Sequence, residues 1–275
     1  SSHPAFRWWW MGALAVVLAV LLLARDPKVF FYPALRFEDG RDIFAYYYSH
    51  GSPQEIFRFI VGYIPLLPNI VGYGLLRLPT QWIPYGFVAF SFLFSLFTYC
   101  LFFAPAYRYY IQSDLLRATV CLLFVLPPFF HYDLQFGLVY SIWNALLLLA
   151  LILLLPAPSK EHQIPWFVLV SILLWSNPLS IVFAPIFLYR FFTDRSSRLV
   201  YALCLITSAA YQLFGVQHSQ VTSGLGLATG LQKIWTAAAL AGVLLVKQAY
   251  KAFLGSKIYL NSPAIAFYLF FLLIF

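Results

Sequence analysis

Residues 56–78, IFRFIVGYIPLLPNIVGYGLLRL, are the stretch on which the fold turns, because they can be read as a membrane span or as a surface segment. The length suits a span, since roughly 17 to 25 residues cross a hydrocarbon core. The content argues against one: Arg58 and Arg77 bring charge, Pro65 and Pro68 remove backbone donors, and Gly62, Gly72 and Gly74 weaken a helix interior. Which side of a membrane the rest of the chain occupies follows from this one choice.

Outward from this stretch the chain is overwhelmingly apolar. Of 275 residues 63% are hydrophobic and 9% charged, with a mean hydropathy of +0.83, whereas soluble domains are about half apolar and about a quarter charged. Apolar runs near 8–24, 82–104, 115–130, 137–155, 199–215 and 231–246 each approach spanning length. Helices satisfy their own backbone groups in lipid, so the expected fold class is all-α, a polytopic transmembrane helical bundle. The first run is read as a retained helix, because Ala24 leads directly into Arg25, Asp26 and Pro27 with no small-residue cleavage site. Residues 1–275 are expected to form a single transmembrane domain. The last run, Phe267–Phe275, has no polar flank, which predicts a chain truncated at its carboxyl terminus.

Basic residues favour the cytoplasmic side of a membrane. With the amino terminus inside and 56–78 interfacial, Arg7, Arg108, Arg117, Lys160, Arg190, Arg195, Arg198, Lys247, Lys251 and Lys257 fall inside. That is 10 of 17 basic residues, and six of the other seven sit in one long first outer loop, 25–81. Making 56–78 a span and 165–190 one helix leaves eight inside and nine outside, with no bias. The interfacial reading therefore stands, and it requires 165–190 to be two short helices meeting at Ser176, Asn177 and Pro178. The expected location is the bacterial inner membrane, multi-pass, with a cytoplasmic amino terminus.

The net charge of +8 does not indicate a nucleic-acid partner, because the basic residues are scattered between apolar runs instead of clustered on one face. Membrane lipids are the partner they suit. Cys100, Cys121 and Cys204 lie within apolar runs as small hydrophobes and have no metal-ligand spacing. Acids are distributed unevenly: Asp26, Glu38, Asp39, Asp42, Glu55 and Asp133 fall outside, and only Asp114, Glu161 and Asp194 inside. Asp133 stands out because a short loop holds it close to hydrocarbon, where an ionised carboxylate is costly.

Within the outer loop, Glu38-Asp39-Gly40 precedes a short helical stretch, Arg41–Ser49, whose Ile43, Phe44, Tyr46 and Tyr47 are expected to lie on the membrane surface. An acid at that point either caps the helix start or serves as a general base at the water boundary. Ser49-His50-Gly51 then leads to the aromatic and proline stretch 62–68, followed later by Leu126-Pro127-Pro128-Phe129-Phe130-His131-Tyr132-Asp133 and by Ser176-Asn177-Pro178. In this order the features resemble the GT-C superfamily of membrane glycosyltransferases, of the protein O-mannosyltransferase and aminoarabinose transferase type, and bacterial polytopic proteins with a Glu-Asp-Gly element. Asn177 stands where that family's turn often carries a lysine.

The resemblance implies an integral membrane glycosyltransferase that moves a sugar from a polyprenyl-phosphate donor to an acceptor on the outer face. It implies Asp39 as base, Glu38 as its neighbour or a metal ligand, and Asp133 as a further polar contact. Arg41 and Arg58 would hold phosphate, with His131 and Asn177 beside the substrate and a divalent cation as a cofactor to be considered. The alternative is a non-catalytic membrane subunit that uses a GT-C-like scaffold within a larger complex of other membrane subunits. A transporter ranks below both, since only one helix break, at Asn177-Pro178, is visible and no matching repeat accompanies it. Of the remaining segments, Gly215–Gly230 with His218 reads as a loop, and the Tyr46–Tyr48 and Trp8–Trp10 runs read as interfacial aromatics.

Overall fold

The computed structural model describes residues 8–35, 38–60, 63–125 and 136–223. Regular structure among them is helical, and the one β-type pairing is an isolated bridge between Ile60 and Tyr63. The chain divides into two units, residues 1–156 with 168–177, and residues 157–167 with 178–275.

In the first unit, α1 (Trp8–Arg25) is an unbroken apolar helix ended by Asp26 and Pro27, which opens the short α2 (Pro27–Phe31). Glu38 then starts a helical segment whose first turns, Asp39–Ala45, are wide π turns and whose last is α3 (Tyr46–His50). Gly51 stops it, with φ +60° and its N–H on the Tyr47 carbonyl at 2.9 Å, a left-handed cap that glycine adopts without strain. Residues 56–78 form no single helix. They contain the end of a 3-10 turn (Pro53–Phe57), extended backbone, and α4 (Leu66–Leu75), whose 10 residues reach only about 15 Å. Then come α5 (Ile83–Leu101), α6 (Asp114–Val125) and α7 (Ser141–Leu154).

Hydrogen bonds fix the helix directions. Arg25 at the end of α1 donates to the Val125 carbonyl at the end of α6, 2.8 Å away, so these two helices finish together. Phe30 of α2 meets the Phe136 ring edge-on at 5.0 Å, placing the start of α7 at the same end. At the other end, Tyr107 and Tyr110, which follow α5, donate to the carbonyls of Leu151 and Leu154 in the last turn of α7. Hence α5 and α7 run one way and α1 and α6 the other. The first loop and the head of α7 share one end of the unit, and Arg108, Asp114 and Arg117 share the other.

The loop end has its own apolar core of Ile43, Tyr47, Ile60, Ile83, Phe87, Leu138 and Val139. Ile43 and Tyr47 are buried there, so the expected surface-lying face of the 41–49 stretch is turned into the protein. Gly72 of α4 permits this approach, because a Cβ at that position would run into the Ile43 side chain. Gly72→Ala should cost roughly 1 to 3 kcal/mol through overpacking, read as a lower thermal midpoint; an unchanged midpoint would show that Ile43 moves aside freely.

Deeper in the unit, Asn144 of α7 donates to Ser95 of α5 at 2.7 Å, and Ser95 donates on to the Ser91 carbonyl at 2.7 Å. At the far end Arg117 is fully buried. It reaches Asp114, the Ile111 carbonyl at 2.8 Å and, 5.5 Å away, the Phe103 ring. The Arg108 hydrogen bond, supported by both guanidinium charges, holds the Asp114 carboxyl below its ordinary value. A carboxyl lowered on folding stabilises above its unfolded value of about 3.9, and that stabilisation fades as pH falls through the lowered folded value. The drop in thermal midpoint between pH 7 and pH 3 should therefore be smaller in Asp114→Asn than in wild type. Equal drops would remove the ion pairs from the acid response.

The expected break within 165–190 is present. An α-helix, α8 (Gln163–Leu174), ends before Ser176, and Pro178–Phe183 forms a 3-10 turn ahead of α9 (Ala184–Thr193). In the second unit α9 and α10 (Arg198–Ser223) form a hairpin. Its turn is closed by Asp194, which accepts from the Ser196 N–H and hydroxyl at 3.1 and 2.8 Å. Tyr201 packs between the rings of Trp166 and Phe187. Because α10 continues to Ser223, the segment from Gly215 to Ser223 is helical and not the start of a loop. The predicted run 231–246 and the terminal run 267–275 lie outside the described residues.

Candidate functional site

The site is organised by the turn that leads into α7. Buried N–H groups in such a turn must be met by an acceptor from elsewhere in the chain. Here the Leu138 and Val139 amides donate to the two carboxylate oxygens of Asp39, at 2.7 and 2.8 Å. Asp39 is 4% exposed, so this is a buried, charge-assisted clamp between residues about a hundred positions apart. Gly137 makes room for it, since a Cβ there would lie 3.4 Å from Asp39 Oδ2 and 2.8 Å from the Tyr140 ring.

Glu38 is treated differently. It is half-buried, and one oxygen accepts a 2.7 Å hydrogen bond from the Tyr140 hydroxyl. Its other oxygen has no hydrogen-bond partner among the described residues. Consecutive acids are thus held by consecutive residues of one turn, Asp39 by 138 and 139 and Glu38 by 140. Asp39 does not cap its own helix; it ties down the turn 138–140 that leads into α7.

Around this pair lie further charged and phenolic groups. Arg41 is largely exposed and forms a two-point ion pair with the buried Asp42, both contacts at 2.8 Å. Arg58 donates to the Asp42 carbonyl at 2.9 Å and lies flat over the Tyr46 ring, 3.3 Å from its centre. Tyr46 donates to Glu55 at 2.8 Å and stacks on His50 with centroids 4.1 Å apart. That hydrogen bond first, and then burial, raise the Tyr46 phenol above its ordinary value and keep it a donor. Burial, with the Glu38 and Asp42 charges, pushes the Tyr63 phenol up to about 12.

Asn177 reaches the first turn of α7. Buried at 1% exposure, it donates to the Ile142 carbonyl at 3.2 Å. Its neighbours hold the start of α4: the Leu67 amide donates to the Ser176 hydroxyl at 2.9 Å, and the Leu66 amide to the Trp175 carbonyl at 3.4 Å. The break at 175–177 is therefore a brace for two helix starts, and Asn177 contacts backbone in this arrangement.

Of the sequence-derived residues, Glu38, Asp39, Arg41 and Arg58 gather at the loop end of the first unit, and Asn177 joins the head of α7. His131 and Asp133 lie outside the described residues. Tyr140, Tyr63 and Asp42 belong to the group although sequence reasoning did not single them out. For Tyr140 a signal existed, an aromatic hydroxyl directly ahead of the apolar run 141–154. Among the described residues no group of three or more His, Cys, Asp and Glu is arranged to hold a metal ion. No protein-family model, curated protein or solved structure matches this chain.

Proposed function

We propose that this chain is a polytopic membrane sugar transferase of the GT-C type, drawing on a polyprenyl-phosphate sugar at the outer face, with Glu38 as the proton acceptor. The observation that carries the proposal is the division of labour in the acidic pair. Asp39 has both oxygens committed to amides, whereas Glu38 is aimed by one phenol and keeps an oxygen for an incoming hydroxyl.

A bilayer setting is supported by the outward faces of the helices. Thr80–Tyr109 is the one described stretch long and apolar enough to cross unaided, and α1, α7 and the first part of α10 are shorter apolar helices. Val16 and Val20 on α1 and Leu93 and Phe97 on α5 are 55 to 63% exposed in mid-helix, a continuous apolar exterior that water would penalise. In the orientation proposed, the loop end faces outward and the Arg108–Asp114–Arg117 end faces the cytoplasm.

In the reaction the acceptor hydroxyl gives its proton to Glu38 while its oxygen attacks the anomeric carbon. The bond from that carbon to the phosphate oxygen breaks, and polyprenyl phosphate leaves with the bonding pair, inverting the centre. Arg41 is the residue best exposed to meet the phosphate charge, and Arg58, fixed over Tyr46, presents a second guanidinium. The test is release of polyprenyl phosphate from hexose and aminopentose donors by the protein reconstituted in liposomes. A second reading, the non-catalytic subunit, draws on the Asp39 clamp itself, which is what a purely structural loop anchor requires; absence of release with every donor and acceptor favours it.

A further inference from the structure

Resting on the assignment of Glu38 as proton acceptor, we infer that Tyr140 is the positioning residue of the site, aiming the Glu38 carboxylate. Three observations carry this. The Tyr140 hydroxyl donates to Glu38 Oε2 at 2.7 Å, within the range of a phenol-to-carboxylate hydrogen bond. Tyr140 follows directly on the two amides that clamp Asp39, so its ring is placed by the same turn that fixes the neighbouring acid. Gly137 lies against the Tyr140 ring, its absent side chain giving the ring its seat.

Tyr140 occupies Oε2, which leaves Oε1 as the oxygen that receives a proton. Tyr63 and Arg41 also feel the Glu38 charge. The Tyr140 hydroxyl is the one group of this set with a hydrogen bond to Glu38.

The test uses Tyr140→Phe, which keeps the ring and removes only the hydroxyl, in the full reconstituted chain. The first readout is the rate at which a water-soluble carbodiimide labels Glu38 at one fixed pH, followed by mass spectrometry. Labelling should be faster in Tyr140→Phe than in wild type, because the phenol no longer covers Oε2, with a thermal midpoint close to wild type. An unchanged labelling rate would overturn the inference. The second readout is transfer: kcat should fall about tenfold with little change in KM. Faster labelling in a protein that transfers nothing would uphold the Tyr140 role and sink the transferase reading, so the two can fail separately.

Discussion

Asp39→Asn is expected to destabilise the protein by roughly 2 to 4 kcal/mol, seen as a lower thermal midpoint and easier proteolysis of the first loop. The two carboxylate oxygens accept from two buried amides, and an asparagine supplies one oxygen and one NH2 group. One hydrogen bond survives without its charge. The other becomes a donor facing a donor in a site that water does not reach, and the start of α7 also loses the negative charge that suits a helix amino terminus. Because Ile43 and Tyr47 of the same segment are packed in the core beneath, loosening the clamp should loosen that core as well. Activity should fall with it, but as a consequence of the displaced loop. A variant as stable as wild type would show that the Asp39 contacts contribute little, and the role of base would return to Asp39.

Much of this arrangement was legible in the residues. Two prolines, three glycines and two arginines made a span through 56–78 costly, and the chain there is a 3-10 turn, extended backbone and the ten-residue α4. The rule that the residue before proline avoids helix located the break at Asn177, and burial of its amide forced it to find the Ile142 carbonyl. What could not be read was pairing across the chain. Nothing local links Asp39 to residues 138 and 139, because the cause lies in the buried amides of a turn whose neighbours are set only by packing. The same applies to Ile43 and Tyr47: an apolar stripe next to a membrane satisfies hydrophobicity equally against lipid or against protein. Gly72 was the residue that decided between them, since only a bare backbone lets α4 approach Ile43 so closely.

Glu38→Gln should have the opposite signature to Asp39→Asn, with transfer lowered by roughly 10² to 10⁴, the usual contribution of a positioned general base, and stability nearly unchanged. The amide oxygen of glutamine can still accept from Tyr140, and the group is only half-buried, so no buried donor is stranded. What is lost is the capacity to take a proton from the acceptor hydroxyl. The effect should therefore appear in kcat, with KM for the polyprenyl-phosphate donor little altered, because Arg41 and Arg58 remain to hold the phosphate. Measuring polyprenyl-phosphate release and thermal midpoint together for both variants separates the two acids. Normal transfer by Glu38→Gln, alongside a stable but inactive Asp39→Asn, would reverse their roles and leave Tyr140 aiming a carboxylate that does no chemistry.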